Sequence, residues 1–284
     1  MRKLILANAL ALASIGVLAS ASVISGQSIK RSFSKTERIA FGPGGTVSIV
    51  GAPNGAIRIT GTSSREVEIT ADIELTATSE ADIQRLAQVT TFAVDDSLSN
   101  VSIVTTGTHN KLGDKKFWKK FPAHLMSLPF RVDYTIGVPR YTDLAVTGGK
   151  GDLVIDGVEG GFTISSLESN ARINLIGGSL VATFGSGTVD ISMPDRSWRG
   201  SAIEAALATG TMTVNLPNGL SAELDASILK SGLIENSLIN LKPRNRKAPI
   251  TDKAVIATAG SGGTAMKFTV GDGTLWLRPI KKIN

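Results

Sequence analysis

Hydrophobic and polar residues alternate along most of the chain beyond residue 39, with the period of two that is typical of half-buried β-strands. The longest alternation covers residues 66–75. A second one covers residues 130–138 and ends at Pro139. Glycine-rich turns such as 51–55 separate many of these stretches. The pattern predicts an all-β protein with many short strands.

One segment has helical spacing instead. Within residues 80–88, Ile83 and Leu86 fall on one side of a helix. Ser79 is a suitable N-cap, and Asp82 stands three residues after it, where a capping box usually has Glu or Gln. The segment predicts one short helix within the β protein.

An internal repeat follows. Its copies share one plan of hydrophobic strand, turn and alternating strand, and they cover residues 144–157, 162–178, 180–194 and 203–217. Their second strands align at Ile155, Ile173, Ile191 and Val214, at spacings of 18, 18 and 23 residues. We expect degenerate copies to begin at Leu224 and Phe268. Such a period predicts a β-solenoid, because a single copy buries its hydrophobic face only against the next copy.

Stacking in register would place equivalent side chains in columns, with neighbouring strands about 4.8 Å apart. The inward residues would be Leu153/Ile155, Ala171/Ile173/Leu175, Val189/Ile191/Met193 and Met212/Val214/Leu216. The outward columns would be Asp152/Asn170/Thr188/Thr211 and Asp156/Asn174/Ser192/Asn215. Each outward column has a single Asp. We therefore interpret it as a solvated β face rather than as a calcium site or an acid–base pair.

The first residues have the pattern of a secretory signal. Arg2 and Lys3 precede the hydrophobic stretch 4–18, which is shorter than the ~20 residues that span a membrane. Ala19-Ser20-Ala21 fits the small residues at which signal peptidase cleaves. We expect export with cleavage near Ala21, and an uncleaved anchor is the alternative. The expected organisation is signal peptide (1–21), flexible lead-in (22–38), N-terminal β portion (39–139), solenoid repeats (140–240), and basic linker with a terminal rung or cap (241–284).

Composition narrows the chemistry. The chain has 284 residues and no cysteine, which excludes disulfides, thiol catalysis and zinc–thiolate sites. Its formal net charge is +6, which suits anionic envelope polymers, glycans or a membrane surface. No nucleic-acid-binding motif is present, and the expected compartment also argues against nucleic acid as a partner.

The segment 109–128, the basic-aromatic segment, lacks alternation and predicts a loop or short helix. It holds the candidate residues for binding an anionic surface, which are Lys111, Lys115, Lys116, Phe117, Trp118, Lys119 and Lys120. Lysines attract anionic groups, while the aromatic rings can enter an interface or stack on a sugar. The other interpretation is a cap whose aromatic side chains cover one end of the solenoid. The two roles are compatible.

Catalytic residues are scarce. Both histidines, His109 and His124, lie in the basic-aromatic segment without the spacing of a metal site, and no Ser has a G-x-S-x-G context. Gly148-Gly149-Lys150-Gly151 lacks the remaining residues of a phosphate-binding loop and is interpreted as a turn. We expect no catalytic residue, metal or cofactor.

A strand of the form FRVDYTIGVP, repeated blocks of T-x-x-G-x-hydrophobic-x-hydrophobic and the ending Asn215-Leu216-Pro217 resemble the bacterial putative adhesin family. The resemblance covers roughly residues 40–240. It implies a right-handed, single-stranded β-helix on an exported or membrane-tethered protein, and it carries no catalytic motif.

These observations predict an exported, non-enzymatic protein of the cell envelope, in the periplasm, at the cell surface or secreted. It would act as an adhesin, a scaffold or a polymer-binding protein. A sensor or regulatory partner in an envelope-stress system, which would bind other proteins, is one alternative. A polysaccharide-acting β-helix enzyme is the other, and it would need at least two carboxylates in one groove from the set Asp152, Asp156, Asp190 and Asp225.

Overall fold

The computed structural model describes residues 28–97, 99–194, 198–244 and 250–280. The expected signal peptide at 1–21 lies outside the described residues. Within them, 17 strands form one mixed, largely parallel sheet, accompanied by two α-helices and one turn of 3-10 helix. The prediction of a mostly β protein is confirmed. The predicted short helix is present, and the basic-aromatic segment, for which the sequence predicts a loop or a short helix, forms a second one.

The bounds of the elements follow. The first strands are β1 (Ile29–Ala40), β2 (Thr46–Val50), β3 (Ile57–Thr62), β4 (Glu66–Ala77), β5 (Thr91–Ser97), β6 (Asn100–Thr106), β7 (Phe130–Pro139), β8 (Asp143–Lys150) and β9 (Leu153–Asp156). The others are β10 (Gly160–Asn174), β11 (Gly177–Ser192), β12 (Arg199–Leu216), β13 (Ala222–Ile228), β14 (Gly232–Asn236), β15 (Lys242–Pro243), β16 (Ala254–Ala259) and β17 (Thr264–Pro279). The helices are α1 (Glu80–Ala87), α2 (Lys115–Lys120) and the 3-10 turn (Ala123–Leu125). None of the described helices is both long and hydrophobic enough to cross a membrane.

The parallel strands form two ladders. The spatial order in the first is β6, β2, β8, β10, β11, β12, β17, β13. The order in the second is β7, β3, β9, β10, β11, β12, β17, β14. The four long strands belong to both ladders, because each passes through one ladder with its first half and through the other with its second half. We call one passage of the chain through both ladders a rung, and the place between the ladders the corner.

The register of the second ladder explains why these residues form strands. Ile155, Ile173, Ile191 and Val214 lie opposite one another on successive rungs, as the repeat predicts. All four are buried from solvent, and Leu277 of β17 continues the column. Alternation within each strand therefore becomes a continuous hydrophobic core between neighbouring rungs.

A column of glycines runs along the corner. Gly187 of β11 lies opposite Gly210 of β12, which lies opposite Gly273 of β17. The φ of Gly210 is +136°, and a Cβ there would approach the Gly187 carbonyl oxygen to 2.0 Å. Only glycine allows both the positive φ and the close approach of successive backbones. The corner thus explains the Gly and Ser turns within the repeats.

The order of the last rungs in space differs from their order along the chain. Strand β17 lies between β12 and the rung β13/β14, although β13 and β14 precede it in sequence. Lys267 of β17 lies opposite both Glu204 of β12 and Asp225 of β13, and its Nζ is 2.8 Å from the Glu204 carboxylate. At this position the side-chain charges on the three neighbouring strands therefore alternate in sign.

Antiparallel strands close both ends of the parallel stack. At one end β1 and β4 follow β7, and β5 follows β6. At the other end β16 and the two-residue strand β15 follow β13. The edge strand β1 is rich in Lys, Arg and Glu, and β15 contains Pro243. Charged or proline-containing edges discourage pairing with another chain.

The expectation of a flexible lead-in at 22–38 is wrong from Ile29 onward, because β1 begins there and pairs along its whole length with β4. Lys30 forms an ion pair with Glu74, and Arg38 forms one with Glu68. The strand has little hydrophobic alternation because most of its side chains face solvent. Helix α1 is confirmed with Ser79 as its N-cap, whose Oγ accepts a hydrogen bond from the Asp82 backbone N–H.

Candidate functional site

The basic-aromatic segment makes up almost all of the connection between β6 and β7, which form the first parallel rung of the stack. In the other rungs a few residues at the corner connect the two ladders. In this rung the connection consists of residues 107–129. At the base of the connection, Thr105 of β6 and Tyr134 of β7 share a buried hydrogen bond of 2.8 Å. Burial raises the pKa of the Tyr134 phenol to about 12, while the bond to Thr105 acts against this rise.

The C-terminal part of the segment is attached to the body of the protein. Leu125 is fully buried, and Phe121 and Leu128 pack against the hydrophobic core. His124 Nε2 lies 3.4 Å from the Asp82 carboxylate on α1, which joins the 3-10 turn to the helix. The Ser79 hydroxyl, and after it His124, lower the pKa of Asp82. This part of the segment is thus anchored to the hydrophobic core and to α1.

The N-terminal part projects into solvent as α2. Asp114 caps the helix by accepting a hydrogen bond of 2.8 Å from the Lys116 backbone N–H. The Trp118 indole N–H donates a hydrogen bond to the Leu112 carbonyl at 2.9 Å. This bond holds the turn before α2 against the helix. The rings of Phe117, Trp118 and Phe121 form one cluster, with centroids 5.3–5.8 Å apart. The aromatic cluster links the exposed helix to the buried part of the segment.

Positive charge surrounds this cluster. The segment contains five lysines and a single acid, Asp114. All of these lysines are exposed, and none takes part in an ion pair among the described residues. Phe117 is 45% exposed and Leu112 is 49% exposed. The structure therefore places the predicted residues together on one turn of chain, where cationic side chains flank solvent-exposed hydrophobic ones.

The two histidines contact different neighbours. His109 packs on the ring of Phe130 with centroids 5.4 Å apart, and burial lowers its pKa. His124 contacts Asp82 instead. In the described residues, no group of three or more His, Cys, Asp or Glu is arranged to hold a metal ion.

The carboxylates on the outer face of the repeats are held apart. Asp152 and Asp156 each accept a hydrogen bond of 3.2 Å from an asparagine on β10, and Asp190 accepts one of 3.0 Å from Asn215. Asp225 lies 3.7 Å from the guanidinium of Arg244. None of these four carboxylates contacts another one of the set in the hydrogen bonds and ion pairs of the described residues. Polar contacts between rungs thus join part of each predicted outward column, such as Asn170 to Asp152 and Asn215 to Ser192.

A cleft of about 1150 Å³, which the sequence analysis did not predict, lies where several loops meet. The β1–β2 loop, the β3–β4 turn and the β7–β8 loop form its walls, and Gly157 and Ile176 complete it. Arg65, Arg140 and Tyr141 are among the residues that line it. These positions are distant in sequence, and only the stacking of the rungs brings them together.

Solved structures with similarity to this chain come from bacteria. A putative cell adhesion protein from Clostridium sporogenes is 11% identical, with a TM-score of 0.46, and the match covers 88% of this chain and 100% of that one. A putative adhesin from Bacteroides fragilis is 12% identical, with a TM-score of 0.26 and coverage of 90% and 98%. A putative lipid binding protein from Parabacteroides distasonis is 9% identical, with a TM-score of 0.23 and coverage of 87% and 97%.

Two of these neighbours are thus described as adhesion proteins, like the family that the repeat resembles. At such identities their names transfer no function to this chain. No protein-family model matches the sequence, and no curated protein matches it.

Proposed function

We propose that this chain is an exported, non-enzymatic protein of a bacterial cell envelope that binds an anionic envelope polymer or membrane surface through its basic-aromatic segment. Such binding would make it an adhesin or a scaffold. The observation that carries the proposal is the set of five exposed lysines, which form no ion pair with any described residue, around half-exposed hydrophobic side chains.

The electrostatics of α2 favour an anionic partner. Several lysine side chains elsewhere on the surface have acidic partners, as Lys30 has Glu74 and Lys150 has Glu168. Those of the segment have none among the described residues, so their charge is available to a ligand. Each lysine close to an anionic surface contributes about 1 kcal/mol of attraction, which salt screens. The neighbouring Phe117 and Leu112 can bury hydrophobic area in the same contact.

The architecture suits a protein that presents a surface. We propose that the rungs form a right-handed, single-stranded β-solenoid. The in-register hydrophobic columns and the glycine corner support this proposal. Stacked rungs of this kind hold an attached segment in a fixed place, because each rung is paired along its whole length with its neighbours. The N-terminal 21 residues, with their basic start and small-residue ending, support export.

The test is co-sedimentation of the chain from Ser22 with peptidoglycan sacculi and, separately, with anionic lipid vesicles, at low and high salt. The test variant changes Lys115, Lys116, Lys119 and Lys120 to Ser. The control variant changes Lys30, Lys150, Lys230 and Lys242 to Ser, which removes the same charge from other exposed sites. We expect salt-sensitive pelleting that the control keeps and that the test variant weakens at least about tenfold.

Each outcome distinguishes between interpretations of the basic-aromatic segment. The material that pellets the protein identifies the partner as polymer or membrane. An equal loss of pelleting in both variants would show that net charge, and not α2, is responsible. Failure of the unmodified chain to pellet with either material would refute the binding proposal and leave the segment as a cap.

A further inference from the structure

The cleft between the loops at the first rungs has walls that are fixed by backbone hydrogen bonds. The Arg140 N–H donates to the Thr62 carbonyl at 3.0 Å, which joins the β7–β8 loop to the β3–β4 turn. The Gly44 N–H donates to the Tyr141 carbonyl at 2.8 Å, and the Phe41 N–H donates to the Arg65 carbonyl at 2.9 Å. The cleft therefore exists before any ligand arrives, which lowers the entropic cost of binding.

Two closely packed backbone segments form part of the lining of the cleft. A Cβ on Gly61 would approach the Gly157 carbonyl oxygen to 1.8 Å, so two backbones are in direct contact there. The volume of about 1150 Å³ exceeds what a single small ion needs and matches the upper end of small-molecule sites. The space fits a ligand of several rings.

The charge of the lining is one-sided. Arg65 and Arg140 line the cleft, and no Asp or Glu is among its lining residues. The Arg140 guanidinium has one acidic neighbour, Glu159, at 3.9 Å, beyond the distance of a strong charge-assisted hydrogen bond. Two guanidinium groups in a carboxylate-free cleft favour a ligand with planar anionic groups, because Arg can bind a carboxylate through two parallel hydrogen bonds.

An aromatic side chain lies beside these arginines. Tyr141 is 56% exposed, and the Arg140 guanidinium carbon is 5.8 Å from the centre of its ring. An exposed tyrosine ring offers a rigid, amphipathic face for a flat ligand at low entropic cost. Thr62, Ser63 and Ser64 of the β3–β4 turn add hydroxyl groups to the lining. Hydroxyls, an aromatic face and guanidinium groups together match a sugar that carries carboxylates.

We propose that this cleft binds an oligosaccharide containing uronic acid units, whose carboxylates contact Arg65 and Arg140 while one sugar ring packs on Tyr141. The site shares no residue with the basic-aromatic segment, so the inference does not depend on the function proposed for α2.

Isothermal titration of the chain from Ser22 with tetragalacturonate tests this proposal. Maltotetraose, which has the same number of rings without carboxylates, and free galacturonate are the matched ligands. We expect saturable binding of tetragalacturonate only. We also expect Tyr141→Ala and Arg65→Gln each to weaken that binding by about tenfold or more, since each removes one contact of the kind described. Both side chains are exposed, and circular dichroism verifies that the variants fold.

The variant lacking Lys115, Lys116, Lys119 and Lys120 separates the two proposals, because it leaves every residue of the cleft in place. It should bind tetragalacturonate like the unmodified chain. If it alone loses binding, the acidic sugar contacts α2 and the cleft proposal is overturned. Absence of saturable binding, equal binding of maltotetraose or galacturonate, or unchanged affinity in both cleft variants would overturn it as well.

Discussion

Strands β11 and β12 turn the corner of the stack within a few residues, at Gly187 and Gly210, whereas the rung β6/β7 uses residues 107–129 for the same connection. At Gly187 and Gly210 the neighbouring backbones approach so closely that no side chain fits. In the first rung the connection leaves the corner and exposes lysines and aromatic rings. The comparison separates two tasks: the close-packed corner stabilises the stack, and the departure from it creates a surface that can meet a partner.

The largest effect is expected at the close-packed corner. Gly210→Ala would force a side chain into a backbone with φ of +136° and against the Gly187 carbonyl oxygen. Strain and collision together should lower the free energy of unfolding by about 4 kcal/mol or more. Urea denaturation measures the loss. Gly219→Ala is the control, because a Cβ there meets no atom within 4 Å, and a comparable loss in both variants would contradict the role of the corner.

A smaller loss is expected within the rungs. Ile191 is fully buried in the second ladder, so Ile191→Ala should lower the free energy of unfolding by about 3 kcal/mol through lost packing and a cavity. Phe117→Ala, on the exposed part of the basic-aromatic segment, should change it by less than about 0.5 kcal/mol. Chemical denaturation of the two variants side by side checks the contrast. Similar losses would mean that α2 is part of the structural core.

The buried hydrogen bond between Thr105 and Tyr134 predicts a pH dependence of the stability. The folded-state pKa of Tyr134 is about 12, above its unfolded value, so its contribution to stability is complete below pH ~10 and is lost as pH rises toward 12. This change amounts to about 2–3 kcal/mol. Tyr134→Phe should remove that part of the alkaline loss, while Thr105 keeps its hydrogen bond of 3.0 Å to the Val50 carbonyl.

Unfolding of both proteins by urea at pH 8 and pH 11.5 measures the difference. All other titratable groups are the same in the two proteins, so the comparison isolates the phenol. Parallel losses in the two proteins would show that Tyr134 does not titrate from a buried position.

The rungs could be predicted from the sequence because hydrophobic alternation recurs at a nearly constant spacing. Ile155, Ile173 and Ile191 align in the structure as the repeat requires. Strand β1 was missed for the opposite reason, since an edge strand with exposed Lys, Arg and Glu has no hydrophobic face to detect. The basic-aromatic residues were recognisable from composition, but the division of their segment into a buried and an exposed part depends on tertiary contacts such as that of Leu125.

The cleft and the position of β17 had no signal of this kind. Arg65, Arg140 and Ile176 are far apart in the chain, and their common site exists only once the rungs are stacked. Strand β17 has the same hydrophobic alternation as its neighbours, so periodicity alone cannot say which of them it will lie beside.

The place of β17 also raises the question of which strand pairs with β12. Strand β13 comes before β17 in the chain and has a similar hydrophobic alternation, so it is an alternative partner for the edge of β12. Direct pairing of β13 with β12 in the same alignment would bring Asp225 opposite Glu204, where Lys267 lies in the finished protein. Repulsion between the two carboxylates disfavours this alternative pairing of β13 with β12. The alternating charges thus favour β17 over β13 as the neighbour of β12.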